Sequence, residues 1–198
     1  MGVPEIRNVK QSILDVAKLL VSHKGFSAVG LNEVLQAAQV PKGSFYHYFG
    51  SKDAFGVALL DGYFETYLQD MAYIFTTTGL SERQKLDRYW QQWIENQTGE
   101  TDARKCLAVK LGAEVADLSE PMRLALHRGT AGVIDCLSRS LSRGVQDKSV
   151  VLKGDAYHAG HQLYYLWLGA SVMAKITGTI TPFDHALSMT HTVLMSLP

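Results

Sequence analysis

Ile13, Val16, Ala17, Leu20 and Val21 recur at the three- and four-residue spacing that gathers apolar side chains on one side of a helix. The stripe stops at Lys24-Gly25, a basic last turn followed by a glycine suited to a helix C-cap. Leu31, Val34, Leu35 and Ala38 predict a short second helix of about two turns. Pro41 opens a third, from Lys42 to Tyr48, because proline's missing N–H costs nothing at a helix start. Ser51 suits the N-cap of a long fourth helix, with Asp53 near the positive end of its dipole, running through Phe55, Leu59, Tyr63, Phe64, Tyr67, Leu68, Met71 and Phe75 to Gly79. Ser81 to Gln84 has capping-box spacing and starts a fifth helix carrying Leu86, Trp90, Trp93 and Ile94.

The polar stretch from Asn96 to Asp102 reads as a loop. A sixth helix holds Cys106 in its first turn and then Leu107, Leu111 and Val115. Ser119-Glu-Pro121 starts a seventh, with Leu126, Val133, Leu137 and Leu141. An eighth starts at Gly154-Asp155 and is apolar almost all round from Leu163 to Ile176, which predicts deep burial or an interface. Thr181-Pro182 opens a ninth, with Phe183, Leu187, Val193 and Leu194. No alternating run of strand length interrupts them, and no segment repeats. The expected fold is all-α, with nine helices.

Composition narrows the class. With 46% hydrophobic residues the chain can form a core, which excludes a disordered tail protein. No apolar run approaches the roughly 18 residues of a membrane span. Two cysteines, Cys106 and Cys136, do not make a disulfide framework, and the first residues lack the order of a signal peptide, so a reducing, cytoplasmic setting is expected. No Cys/His spacing matches a zinc site: His158 and His161 lie three apart without a ligand partner, so no metal or cofactor is expected.

The formal net charge is zero, which by itself gives no reason to expect nucleic acid. The distribution is uneven, however. Residues 1–60 carry six Lys/Arg against four Asp/Glu, a net of +2, and the remainder carries −2. Between residues 34 and 52 there is no acidic residue at all. That run holds Pro41-Lys-Gly-Ser-Phe-Tyr-His-Tyr-Phe49, in which Phe45 and Phe49, one turn apart, would anchor the helix inward. Lys42, Gly43, Ser44, Tyr46, His47 and Tyr48 are then left for the outer and flanking surfaces, with Lys52 just beyond. Hydroxyls, a lysine and a closely approachable backbone are groups that hydrogen-bond phosphates and base edges. Two short helices joined by a tight turn and braced by a longer one have the outline of a helix-turn-helix.

Lys24-Gly-Phe26, Val34-Leu35-Gln-Ala-Ala38, Val40 to Phe49 and Ser51-Lys52 together resemble the DNA-binding domain of the TetR family of transcriptional regulators, over roughly residues 8–55. Gln39 departs from the family's usual turn glycine, Pro41 from a common Ser/Thr, and Gly30 from the usual hydroxyl cap of the second helix. The resemblance implies that Ser44, Tyr46, Tyr48 and Lys52 touch DNA, mostly its backbone. It also implies a DNA-binding domain over 1–50, a ligand-sensing and dimerisation domain over 51–198, and a palindromic double-stranded operator read by a homodimer. Gly169-Ala-Ser171 suits close helix approach in a dimer seam built from the eighth and ninth helices.

Cys106 lies beside Arg104 and Lys105, with Lys110 one turn on, so a helix N-terminus and three cations favour its thiolate, the form that attacks electrophiles. Cys136 shares a stripe with Val133, Leu137 and Leu141 and reads as an inert core thiol. Residues 106–122, with Leu166 to Ser171 and Ala174 to Ile176, are similar to electrophile-responsive repressors of the TetR family. That similarity implies a repressor released from DNA when Cys106 is modified, controlling detoxifying reductases or aldehyde-removing enzymes. Ala116 stands where such a repressor carries another cysteine, so a disulfide from Cys106 to that site is unavailable. Lys175 is the only Lys, Arg, Asp or Glu between Asp155 and Asp184, and we expect it to face Cys106 or to snorkel at the helix end. Trp90, Trp93, Tyr157, His161, Tyr164 and Trp167 could line a pocket or pack as core. A repressor with a noncovalent hydrophobic ligand is the alternative reading. A thiol enzyme is not expected, since no His lies near Cys106 in sequence to act as its base, and no catalytic residue is assigned.

Overall fold

The computed structural model describes residues 9–99 and 106–194, and nine helices lie among them. They are α1 (Val9–Lys24), α2 (Leu31–Ala38), α3 (Lys42–Phe49), α4 (Lys52–Thr76), α5 (Glu82–Thr98), α6 (Leu107–Leu118), α7 (Glu120–Gln146), α8 (Ala156–Thr177) and α9 (Thr181–Leu194). The chain forms two compact units. One holds residues 9–63 together with α6 and α7 as far as His127; the other holds residues 64–99 and 128–194.

In the first unit, Ile13, Ala17 and Val21 of α1 are fully buried and meet a core made with Val34, Leu35 and Ala38 of α2, Phe45 and Phe49 of α3, and Phe55, Leu59 and Leu60 of α4. The Phe45 ring lies 5.3 Å from that of Phe49 and 5.2 Å from that of Phe55, edge-on or tilted, the geometry that aromatic quadrupoles favour. Ser51 caps α4 by accepting the Ala54 N–H at 3.0 Å. Gly30 begins α2 in extended backbone with no side-chain cap, and Pro41 begins α3 in the same way.

Between α2 and α3, Gln39 takes the left-handed conformation, φ 57° and ψ 43°, and donates its N–H to Gln36, while the Val40 N–H reaches the Leu35 carbonyl at 3.0 Å. For a residue with a Cβ this conformation costs about 1–2 kcal/mol, which a glycine avoids. Gln39→Gly is therefore expected to stabilise the protein by about 1 kcal/mol after its greater unfolded-state freedom is allowed for. A urea-denaturation midpoint that rises with unchanged slope would show it.

The second unit is built on aromatic packing. Trp90 of α5 stacks on Trp167 of α8 at 4.6 Å and 11°, and Phe183 of α9 covers the same ring. Leu86, Leu137, Leu141 and Leu163 are fully buried around them. Small residues set the helix spacing: a Cβ at Gly129 would overlap the Phe64 ring, and one at Gly160 would overlap the Ser138 hydroxyl. Ser81 forms the expected capping box with Gln84. Beside it the buried Glu82 accepts from Ser140 at 2.8 Å, Arg143 at 3.1 Å and Lys85 at 2.8 Å, tying the start of α5 to α7.

Two expectations need correction. α5 continues through Thr98, so Asn96 to Thr98 are helical rather than loop. Side chains hold that polar turn: Gln92 donates to Asn96 at 3.2 Å and the Thr98 hydroxyl donates to the Ile94 carbonyl at 2.8 Å. Cys106 is the N-cap of α6 and not part of its first turn. Gly169, expected in a seam between two copies, is exposed with open space around it, while within the unit Gly160 lies close against Ser138.

Candidate DNA interface and sensor helix

α3 has two sides because its only buried side chains are one turn apart. Phe45 and Phe49 point into the core, and the remainder of the helix faces outward. Tyr46 is 53% exposed and Tyr48 38%, while Lys42, Gly43 and His47 are exposed and Ser44 is half-buried. A Cβ at Gly43 would meet nothing, so a partner can approach the backbone there. Lys52 is exposed with its ammonium 5.1 Å from the Phe26 ring centre, a cation–π contact that steadies it beside α3. All seven residues expected at the DNA surface thus lie on or directly after one helix, none of them buried. Hydroxyl, amine and imidazole donors with no carboxylate among them suit a phosphate-lined groove.

α6 belongs to the same unit. Its apolar stripe, Leu107, Leu111 and Val115, is buried, and Cys106 at its N-cap is only 5% exposed. The Cys106 carbonyl accepts the Lys110 N–H at 3.2 Å, and its thiol does not cap the helix. Arg104 and Lys105, expected to favour the thiolate, lie outside the described residues. Lys110 directs its ammonium to the His23 carbonyl, 3.2 Å away at the end of α1.

Sequence reasoning missed Glu114. Its carboxylate accepts the N–H of Ser27 at 2.6 Å and of Phe26 at 3.2 Å, just beyond α1. Burial alone would raise its pKa, but these N–H donors and the nearby Lys110 charge outweigh that and hold the carboxyl below its ordinary value. The only sequence signal was the one-turn spacing of Lys110 and Glu114. Their partners are backbone groups, which a sequence does not display.

Cys136 on α7 is half-buried rather than fully in the core, and burial pushes its thiol pKa up despite Arg139 and Arg143. Lys175 is exposed in the last turn of α8, ahead of the left-handed Gly178. Of the aromatics expected to line a pocket or pack, Trp90, Trp93, Tyr164 and Trp167 are buried against one another. Trp93 donates to Ser171 and Trp167 to Thr190, both at 2.9 Å, while the buried Trp90 Nε1 has no acceptor among the described residues. His161 is half-buried on the flank of this layer with Nδ1 2.9 Å from the Tyr157 carbonyl, and Tyr157 itself is exposed.

α8 is two-sided, not buried all round. Leu163, Tyr164, Trp167 and Ser171 face the core. Tyr165, Val172, Met173 and Ile176 are exposed, Ile176 by 70%, and Met189 of α9 is exposed as well. Gly169 lies within the exposed row, at i+4 from Tyr165.

Residues 13–59 match the family of bacterial regulatory proteins named for TetR, and residues 83–190 match a tetracyclin repressor-like C-terminal domain. The chain is 39% identical over 181 residues to the HTH-type transcriptional repressor NemR of Escherichia coli K12, which covers 91% of each chain. It is 30% identical to the transcriptional regulator AcuR of Cereibacter sphaeroides, over 88% of this chain and 80% of that one. The crystal structure of E. coli NemR in its reduced form superposes with a TM-score of 0.91 at 37% identity, covering 96% of this chain and 99% of the other. Among the described residues no helix is long and apolar enough to cross a membrane. With both halves of the chain matched, this protein belongs to the TetR family of bacterial transcriptional regulators.

Proposed function

We propose that this regulator is a homodimeric repressor that leaves a palindromic operator when a reactive electrophile or oxidant modifies Cys106. The observation that carries the reading is the position of that thiol: a buried N-cap on a helix whose Lys110 and Glu114 reach the backbone at the end of α1. A close-packed site has no room for added atoms, so an adduct on Cys106 must displace the start of α6. Toward an α,β-unsaturated carbonyl, the thiolate forms a C–S bond at the β-carbon. The π pair then moves to an enolate that takes a proton from water. Toward a hydroperoxide, the thiolate attacks the terminal oxygen and the O–O bond breaks; sulfur gives up two electrons to become a sulfenic acid, and the departing alkoxide or hydroxide takes a proton from water. That the solved E. coli relative is described in a reduced form is in keeping with a thiol sensor.

The alternative, a noncovalent hydrophobic ligand, is favoured by one observation, the unpaired Trp90 N–H in the aromatic layer of the second unit. Cys106→Ser separates the two. Operator release by electrophile is expected to be lost in the variant, with at least a ~10-fold higher dose needed, while operator binding persists. Full response in the variant, measured by fluorescence anisotropy on a selected operator, would remove the covalent mechanism.

The exposed row Tyr165, Gly169, Val172, Met173 and Ile176 is the proposed dimer seam, closed with α9 into four helices across two copies. It would set two α3 helices about 34–36 Å apart in successive major grooves. Ile176→Glu is expected to shift the protein to monomer in sedimentation and to weaken operator binding at least ~10-fold, since one half-site then binds alone.

A further inference from the structure

Two side chains of α6, one turn apart, hold the end of α1 with opposite charges. Lys110 gives its ammonium to the His23 carbonyl, at the negative end of the α1 dipole. Glu114 takes the N–H groups of Phe26 and Ser27, immediately after the helix. Each charge meets backbone of the polarity it complements. Between these two grips the chain turns at Gly25, φ +90°, where a Cβ would come within 2.9 Å of the Glu114 carboxylate, so the carboxylate lies directly on the turn. The Phe26 side chain is buried and stacks on Phe55, and α2 starts at Leu31. The position of this turn therefore sets where α2, and after it α3, begins.

We propose that Lys110 and Glu114 form a latch through which α6 fixes the α1–α2 turn and passes the state of Cys106 to the DNA-reading helices. The proposal rests on the sensing reading above. The link from the thiol to the latch is short: the Lys110 N–H is bonded to the Cys106 carbonyl in the first turn of α6. An adduct that displaces that turn moves Lys110 first, and Glu114 follows a turn later. Glu114 is a positioning residue, since it acts on DNA only through the turn it holds. Glutamine at 114 keeps the volume but can offer an oxygen to only one of the two N–H donors.

The test uses the full-length protein. Operator dissociation constants are measured for reduced and electrophile-treated wild type, Glu114→Gln and Lys110→Met, with amide exchange followed at Phe26 and Ser27. In wild type, treatment should weaken binding at least ~10-fold and speed exchange at both amides. In Glu114→Gln the treated-to-reduced ratio should fall to within ~2-fold, with the amide that loses its acceptor already fast before treatment. Lys110→Met, which removes one grip only, should give an intermediate ratio and covers the case in which Glu114→Gln does not fold. A wild-type ratio retained in both variants would overturn the latch. A wild-type ratio near one would instead overturn the sensing reading. The exchange data then judge the latch alone, and slow Phe26 and Ser27 amides in Glu114→Gln would overturn it.

Discussion

Replacing Tyr46 and Tyr48 together with alanine is expected to lower affinity for the operator by at least ~100-fold, because each hydroxyl and ring at a DNA surface is worth about 1–3 kcal/mol. Both side chains are exposed while Phe45 between them and the core is buried, so the double variant should fold and melt like wild type. Phe45→Ala is the contrast: it would remove a fully buried ring and cost about 3–5 kcal/mol of stability. Anisotropy titrations on an operator selected from random duplexes, with a thermal melt beside them, distinguish surface loss from unfolding. Equal affinity of wild type and the double variant would mean that α3 is not the reading helix. With so little net positive charge, binding to random sequence should be weak, and specificity should rest on these few contacts.

Glu82 carries the second large effect, on stability. Its carboxylate is buried and holds Ser140, Arg143 and Lys85 at once. Burial would raise its pKa, but the hydrogen bonds from Lys85, Arg143 and Ser140 outweigh it and hold the carboxyl below its ordinary value. Removing one partner of a buried ion pair typically costs about 3–5 kcal/mol; because Arg143 is partly exposed, Glu82→Gln should cost about 2 kcal/mol at pH 7. The sign with pH follows from the lowered pKa. The contribution is complete above the unfolded-state value near 4.5 and disappears as pH falls through the lower folded-state value. Urea midpoints of wild type and variant should therefore differ at neutral pH and converge in acid. A difference that persists unchanged at low pH would contradict this assignment.

The helix-turn-helix was legible because its cues are local. Phe45 and Phe49 one turn apart, Pro41 at a helix start and Ser51 at a cap each announce themselves within a few residues, and the structure uses them as read. α8 was not, because its two faces do not differ in polarity. Ile176 and Val172 are apolar yet exposed, while Ser171 and Gly160 are small and buried, so no periodic contrast separates inside from outside. The end of α5 was misread because Asn96 and Thr98 look like loop residues, and only their side-chain bonds one turn back keep them helical. Glu114 was hidden for another reason: its partners are backbone N–H groups 87 and 88 residues away.

The central claim is that the chemical state of Cys106 controls the affinity of α3 for DNA. The most direct measurement follows operator release and adduct formation in one titration, with an α,β-unsaturated carbonyl as the electrophile and intact-mass and peptide analysis of the same samples. The fraction of operator released should rise in step with the fraction of Cys106 modified, while Cys136, whose thiol pKa is raised by burial, stays unmodified. Complete modification of Cys106 with operator binding unchanged, or complete release with Cys106 intact, would contradict the account.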